Sequence, residues 1–154
     1  MSHALLWRVK ASLFGYIRSL NDGCVETSEG AEIAESGEFR FPFDEASPTT
    51  HGVFRYRGVL HWRAHDGLMD VTLSSVWVAV APTAWIAALV RIPGEPAARV
   101  TLATMEVNRL DKNAWQGSAV RLTAEGALAL GALQYYEGQQ IDDALFSAPI
   151  NSGD

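Results

Sequence analysis

The sequence predicts a mainly β fold, an antiparallel sandwich or open barrel of about seven to nine strands with one helix near each end. Three observations predict it: helical spacing of apolar residues occurs only near the two ends, alternation fills most of the middle, and turn-forming residues separate the alternating runs. The 154 residues are 48% hydrophobic and 19% charged, which is typical of one globular domain. We therefore expect residues 1–154 to form a single domain, with a frayed tail from about residue 147.

The N-terminal helix is predicted within Leu5–Leu20, where apolar residues recur at spacings of three and four. Ser12 and Tyr16 then lie on one face of this helix, one turn apart. The turn-forming run Asn21–Gly23 ends the helical pattern. The segment Cys24–Ser36 that follows is polar and acidic, so we expect a strand or loop that faces water.

Alternating apolar and polar residues predict the first strands of the middle region. Phe39–Phe43 is a short strand, and Pro42 within it favours an edge position. After a loop, Val53–His65 alternates throughout, which predicts a long, half-buried strand. The run Asp66–Gly67 then forms a turn and the chain returns as a second strand, so His65 lies near the tip of a hairpin.

Four further strands and a second helix complete the predicted fold. The strands are expected over Val76–Ala81, Trp85–Ile92, Arg99–Asn108 and Trp115–Leu122. The first two are apolar almost throughout, which indicates burial on both faces or packing against the N-terminal helix. Thr123 can cap a helix that runs from Ala124 to about Tyr136, and Gly138 is its stop signal.

Charge and cysteine content exclude several classes of function. The net charge is −6 and the isoelectric point is near 5.1, which argues against a nucleic-acid partner, because phosphate binding needs a basic surface. Cys24 is the single cysteine, so the chain can form no internal disulfide, structural zinc cluster or cysteine-ligated iron–sulfur cluster.

The start of the chain and its apolar runs bear on location. The N-terminus lacks the features of a signal peptide, and no apolar run approaches the 18 or so residues that span a bilayer. As written, the chain is therefore expected in the cytoplasm. A trimmed segment of an exported protein would have the same sequence, and its location would be extracellular or at the cell surface.

Tyr16 and His65 offer metal-binding chemistry. A phenol has a pKa of about 10 and is a poor metal ligand unless a neighbour or the metal itself stabilises its phenolate form. A histidine within hydrogen-bonding reach can do so, because either ring nitrogen can donate. Tyrosinate is a known axial ligand of haem iron. The pair alone is a weak signal, since nearly every domain of this size has a tyrosine on a helix and a histidine on a strand.

Three blocks of the sequence resemble the HtaA domain, a haem-binding module of actinobacterial haem-uptake proteins. The first is Leu6–Ile17, LWRVKASLFGYI, which is similar to the family's opening tryptophan, lysine, serine and tyrosine pattern. The second is Phe54–Asp70, FRYRGVLHWRAHDGLMD, which is similar to the family's histidine-bearing stretch. The third is Leu122–Ala127, LTAEGA, followed by Tyr136–Gly138 and Ile141–Asp142, and it resembles the family's closing helix.

The resemblance implies that ferric haem b binds through Tyr16 as the axial ligand of the iron, with His65 hydrogen-bonded to the phenolate oxygen. It places Ser12 at a haem propionate or at the pocket rim. Phe14 is close to Tyr16 in sequence and is a candidate for the pocket wall. The implied function is haem capture and transfer without catalysis, with other haem-carrier proteins as partners. A homo-oligomer is left open.

Two alternatives are kept beside the carrier. One is a haem-dependent enzyme of catalase or peroxidase type, since catalase also uses tyrosinate. It needs acid–base residues on the opposite haem face, for which the sequence offers only His51 or His61. The other is an interaction domain or apolar-ligand carrier with the HtaA fold and no haem.

A cationic row completes the set of candidate residues. Arg55, Arg57, His61 and Arg63 share the polar face of the long strand. Arginine binds carboxylates well, so the row could meet the haem propionates. A solvated outer face of the sheet explains the same pattern at least as well.

Overall fold

The computed structural model describes residues 3–47, 49–80, 82–131 and 134–149. Its elements, in chain order, are β1 (Ala4–Trp7), α1 (Ala11–Ser19), β2 (Cys24–Ser28), β3 (Glu32–Ile33), β4 (Phe39–Pro42), β5 (Val53–Ala64), a one-turn 3₁₀ segment (His65–Gly67), β6 (Met69–Ala79), β7 (Ala84–Arg91), β8 (Ala98–Asp111), β9 (Ala114–Leu122), α2 (Ala124–Ala129) and β10 (Ala144–Ser147).

Within the described residues, ten strands form one antiparallel sheet that is nearly closed into a barrel. The strand order is β2-β5-β6-β7-β8-β9-β10-β1-β4-β3. Just beyond β4, Phe43 bridges to Tyr56, and the Asp44 amide donates to the Arg55 carbonyl at 2.9 Å. These contacts bring the two ends of the sheet together. The predicted mainly β fold with a helix near each end is therefore confirmed, in its open-barrel form.

Both helices lie at the same end of the barrel. β5 runs toward the 3₁₀ turn at His65–Gly67, and the antiparallel pairing makes β9 and β1 run in the same direction as β5. β1 leads into α1 and β9 leads toward α2, so both helices lie at the end that carries the turn. We call this the helical end. The turn at residues 112–113 lies at the opposite end.

The inner face of β5 shows how alternation forms the core. Phe54, Tyr56, Leu60 and Trp62 are each at most 2% exposed, and they point into the barrel as their spacing predicts. The buried Tyr56 phenol donates to the Ser147 carbonyl at 3.0 Å, which satisfies its one donor. The buried face of β5 holds this strand in the barrel, and the strand leads to the 3₁₀ turn at the helical end.

The N-terminal prediction is corrected in one respect, because the helix begins at Ala11 and residues 4–7 form β1. Leu5 and Trp7 are both fully buried, and β1 pairs with β10 on one side and β4 on the other. The spacing of two between these buried residues is that of a strand. Backbone pairing on both sides decides in favour of the strand.

The C-terminal helix is shorter than predicted. It ends at Ala129 rather than near Tyr136, and Gly131 follows with φ of +86°, a left-handed value that stops a helix. Positions 132–133 of the predicted helix lie outside the described residues. At the start of the tail that was expected to fray, Ser147 belongs to β10 and the buried Ala148 amide donates to the Asn113 carbonyl at 3.0 Å. Residues 150–154 lie outside the described residues.

Three strand predictions change in detail. The return strand and the predicted strand Val76–Ala81 are one strand, β6, which has a bulge at Ser75 with φ of 48°; Ala81 lies outside the described residues. The segment Cys24–Ser36 contains β2 and β3. β4 is not the edge strand, because the two-residue β3 pairs with its start. In the predicted loop Asp44–Thr50, position 48 lies outside the described residues.

Candidate functional site

The exposed face of α1 carries the first half of the candidate site. Leu13, Phe14 and Ile17 are the buried residues of α1 and anchor it to the barrel. The opposite face of the helix presents Tyr16, whose side chain is 46% exposed. Ser12 is also exposed, one turn before Tyr16, as the helical spacing predicts. The helix therefore holds a phenol at the surface of the helical end.

The 3₁₀ turn between β5 and β6 carries the second half. His65 and Asp66 have left-handed φ values of 56° and 55°, and Gly67 follows with φ of +89°. Left-handed backbone costs about 1–2 kcal/mol for a residue other than glycine. The alternation of β5 continues through the buried Ala64 to the exposed His65, and the left-handed backbone of His65 then ends the strand. His65 thus leaves the sheet and projects at the helical end.

The two halves meet directly. The Tyr16 Oη atom lies 2.8 Å from His65 Nε2, and the ring centroids are 5.8 Å apart at an interplanar angle of 41°. The partners are 49 residues apart in sequence. An imidazole N–H at this distance can donate to a phenolate oxygen and stabilise it. A phenolate oxygen with such a donor beside it is a type of ligand that iron can bind.

The other tyrosines lack this combination. Burial raises the pKa of the Tyr56 phenol well above its usual value, which disfavours a phenolate in the core. Burial also raises the pKa of Tyr135, whose ring packs against the Lys10 ammonium with 5.5 Å between the nitrogen and the ring centroid. Tyr136 is 62% exposed. Among the described tyrosines, Tyr16 is the one with a hydrogen bond to a histidine.

Phe14 lies beneath the site. Its side chain is 2% exposed and makes edge-to-face contacts with Phe39 and Trp62, at centroid distances of 4.8 and 5.3 Å. Such aromatic pairs stabilise a core beyond the area that they bury. Phe14 therefore fixes the helix from below, and Tyr16 two residues later faces outward.

The residues of the cationic row on β5 make contacts with different partners. The Arg55 guanidinium lies 4.7 Å from the centroid of the Trp77 ring and donates to Thr50 Oγ1 at 3.1 Å. His61 Nε2 lies 2.7 Å from Asp70 Oδ1, a cross-strand pair that the sequence prediction missed. These contacts lie on the outer face of the sheet, whereas Arg63 lines a cleft beside the 3₁₀ turn.

Two clefts of different size lie at the two ends of the barrel. The cleft beside the turn has a volume of about 260 Å³ and is lined by Asp22, Arg63, Ala64, Asp66, Gly67 and Asp70. A larger one of about 470 Å³ includes Phe54 and Trp115 in its lining and lies at the opposite end of the barrel. Tyr16 lines neither of them. The Tyr16 side chain itself is 46% exposed at the helical end.

Exposed leucines on two elements of the helical end are functional candidates that the sequence prediction missed. Leu68, directly after the 3₁₀ turn, is 92% exposed, and Leu128 on α2 is 82% exposed. Large apolar side chains in water offer a contact surface for an apolar ligand. Leu68 falls within the alternating return strand, so its exposure could not be read from the pattern.

Gly15, directly before Tyr16, leaves open space on the helix surface. A β-carbon built at position 15 has no neighbour within 4 Å. Glycine in a helix is about 1 kcal/mol less favourable than alanine. We expect Gly15→Ala to raise the free energy of unfolding by about that amount, measured by urea denaturation without ligand. An unchanged or lower denaturation midpoint would contradict the open space at this position.

Comparison with known proteins adds to this geometry. The sequence model of the HtaA family, described as Htaa, matches residues 2–147. The chain belongs to the HtaA family. A search of curated proteins finds no match to it. Among the described residues of this HtaA-family chain, no helix has the length and apolar character needed to cross a membrane.

Solved structures share the fold of this HtaA-family chain. The C-terminal domain of HtaA from Corynebacterium glutamicum is 23% identical, with a TM-score of 0.75 and coverage of 96% of both chains. The N-terminal domain of the same protein is 20% identical, with a TM-score of 0.72 over 97% of this chain and 98% of that one. Heme binding protein HtaB from the same organism is 17% identical, with a TM-score of 0.63 over 95% and 92%.

Proposed function

We propose that this HtaA-family chain captures ferric haem b through Tyr16 and passes it to another haem carrier. The observation that carries the proposal is the 2.8 Å contact between Tyr16 Oη and His65 Nε2 on an exposed helix face. Family membership and the fold shared with Heme binding protein HtaB support it. The contact supports Tyr16 as the ligand, and the comparisons support haem as the class of molecule that it would bind.

The chemistry of the pair suits ferric iron. A tyrosinate is one anionic ligand, and the porphyrin of haem supplies four nitrogens to the same iron. An anionic oxygen stabilises the ferric state over the ferrous state, so reduction would weaken the bond. An N–H donated by His65 would offset part of the negative charge on the phenolate and orient its oxygen.

The surroundings of Tyr16 suit one face of a porphyrin. Gly15 leaves the helix surface open beside the ligand, and Leu68 presents an exposed apolar side chain next to the turn that holds His65. Ser12 lies one turn along the same exposed face and is proposed to donate to a haem propionate. Phe14 would support this surface from within the core. Haem held on an open surface could leave readily, which suits transfer between proteins.

A hemin titration tests the proposal. Purified protein mixed with hemin should show a shifted Soret band at one equivalent, with the charge-transfer bands of tyrosinate-ligated ferric haem. A titration without a stoichiometric shift would refute haem capture and favour an apolar-ligand or interaction domain. Rapid turnover of hydrogen peroxide by the hemin complex would instead favour the haem-enzyme alternative.

His65→Ala is expected to speed hemin loss by about 10- to 100-fold, the usual effect of removing a group that supports a metal ligand. The measurement is transfer of hemin to excess apo-globin. His51→Ala is the matched control, since His51 is also exposed and has a left-handed φ of 54°. An unchanged transfer rate would remove His65 from the site.

The oligomeric state of the His65 variant needs a separate check. A histidine-to-alanine variant of the C-terminal domain of HtaA from C. glutamicum has been crystallised as a domain-swapped dimer, and this chain is 22% identical to it with a TM-score of 0.65. Hinge changes can promote such exchange. Size-exclusion chromatography would separate a swapped dimer from the monomer before the transfer rate is measured.

A further inference from the structure

Asp22 connects the helix that carries Tyr16 to the turn that carries His65. It lies three residues after the end of α1, and its Oδ2 atom accepts a hydrogen bond from the Asp66 amide at 2.7 Å. Asp66 directly follows His65, which contacts Tyr16 at 2.8 Å. The contacts therefore form a closed ring from α1 to the turn and back to α1.

The position of Asp22 relative to the helix is fixed by Gly23. A β-carbon at position 23 would overlap the carbonyl oxygen of Ile17, so this turn lies directly against the last turn of α1. The Gly23 amide also donates to the Leu20 carbonyl at 3.2 Å. The Asp22 carboxylate is thus attached to the end of α1 through a short, tightly packed turn.

The 3₁₀ turn needs such an anchor. His65 and Asp66 both have left-handed backbone, so the turn is strained and would relax without an opposing contact. Within the turn, the Leu68 amide donates to the His65 carbonyl at 3.0 Å. Asp22 adds a bond from outside the hairpin. The Asp66 amide is also the main reason that the pKa of Asp22 lies below its usual value, so the carboxylate is ionised at neutral pH and accepts strongly.

We propose that Asp22 is a positioning residue of the haem site, and that its carboxylate holds the His65 turn in place so that the Tyr16–His65 contact exists before haem arrives. The inference rests on the proposed function, because haem binding is what the contact serves. It adds a residue that would act on the haem site through the orientation of His65. Preorganisation of this kind lowers the cost of binding.

Asp22→Ala and Asp22→Asn, made in the full chain, test the proposal. Asp22→Ala is expected to speed hemin transfer to apo-globin about tenfold, as loss of a supporting residue commonly does. Asp22→Asn should have a smaller effect, because its side-chain carbonyl can still accept from the Asp66 amide. Asp111→Ala is the matched control, since Asp111 accepts a 2.7 Å bond from the Asn113 amide in the turn at the opposite end of the barrel.

A double-mutant cycle distinguishes positioning from a general loss of stability. If Asp22 acts through His65, adding Asp22→Ala to His65→Ala should change the transfer rate by less than about twofold. An effect as large as in the wild-type background would overturn the proposal. A transfer rate in Asp22→Ala equal to that of the wild type would overturn it as well.

A measurement without haem separates this inference from the proposed function. The ¹⁵N chemical shift of His65 Nε2 in the haem-free protein reports its hydrogen bond to Tyr16, and Asp22→Ala should move it toward the value in Tyr16→Phe. If the wild type binds no hemin, the proposed function fails, and this shift still decides whether Asp22 positions His65. An unmoved shift would overturn the positioning role, whatever the hemin titration gives.

Discussion

Tyr16→Phe is expected to remove the charge-transfer bands of tyrosinate-bound ferric haem and to weaken hemin binding by at least about 100-fold, or about 2.7 kcal/mol. The change deletes the oxygen that would bind the iron and keeps the aromatic ring. It also removes the oxygen that lies 2.8 Å from His65 Nε2, so the bond to the iron and the support that His65 gives to that bond are lost together. Absorption spectroscopy and a hemin titration measure both effects.

The same variant should fold normally. Tyr16 is 46% exposed and its hydrogen bond to His65 is at the surface, so the free energy of unfolding should change by less than about 0.5 kcal/mol. Tyr136→Phe is the matched control, because it removes a hydroxyl from a tyrosine that is 62% exposed. If Tyr16→Phe retains the tyrosinate bands, another residue binds the iron and the proposed site is wrong.

Gly126→Ala is expected to lower the free energy of unfolding by about 2–3 kcal/mol. Position 126 lies within α2, where alanine is ordinarily the better helix former. Here the added β-carbon would overlap the Leu102 carbonyl oxygen and lie 2.7 Å from its carbonyl carbon. Backbone cannot move aside as a side-chain tip can, so α2 must lift from β8. That movement strains the 3.0 Å bond from the Thr123 amide to the Leu102 carbonyl.

The matched comparison is Gly15→Ala, which makes the same chemical change in the other helix. It meets open space, so its effect should have the opposite sign. Urea denaturation of both variants measures the two changes in the free energy of unfolding, provided that the dependence of this free energy on urea concentration is the same in both. Stabilisation by Gly126→Ala would show that α2 does not lie against β8 in solution.

The alternation in β5 was enough to predict that strand and its buried face. Phe54, Tyr56, Leu60 and Trp62 follow a period of two over a long strand, and such a pattern has one strong interpretation. The strands β1 and β10 have four residues each and were not predicted. Their stability comes from neighbours that are distant in sequence, such as β9, whose residues pair with residues of β10 that lie 27 to 33 positions later. A local pattern cannot contain that information.

Part of the candidate site was also accessible from the sequence. Tyr16 and Ser12 fall on one helix face by spacing, and His65 falls near a hairpin tip by its place before Asp66–Gly67. The resemblance to the HtaA family suggested that Tyr16 and His65 meet. Asp22 was predicted only as a turn residue, because its contact with the Asp66 amide joins segments 44 residues apart. Phe14 was a candidate wall residue, and its place in the core depends on Phe39 and Trp62.

The sequence by itself determined the mainly β class, the long hairpin and the family, because alternation, turn residues and ordered motifs are local properties of a chain. The tertiary structure decided the closure of the barrel, the 2.8 Å distance from Tyr16 to His65, and the opposite surroundings of Gly15 and Gly126. These features depend on which backbone segments approach one another in space. Distances between remote segments are set by packing of the whole sheet, which no single segment of the sequence encodes.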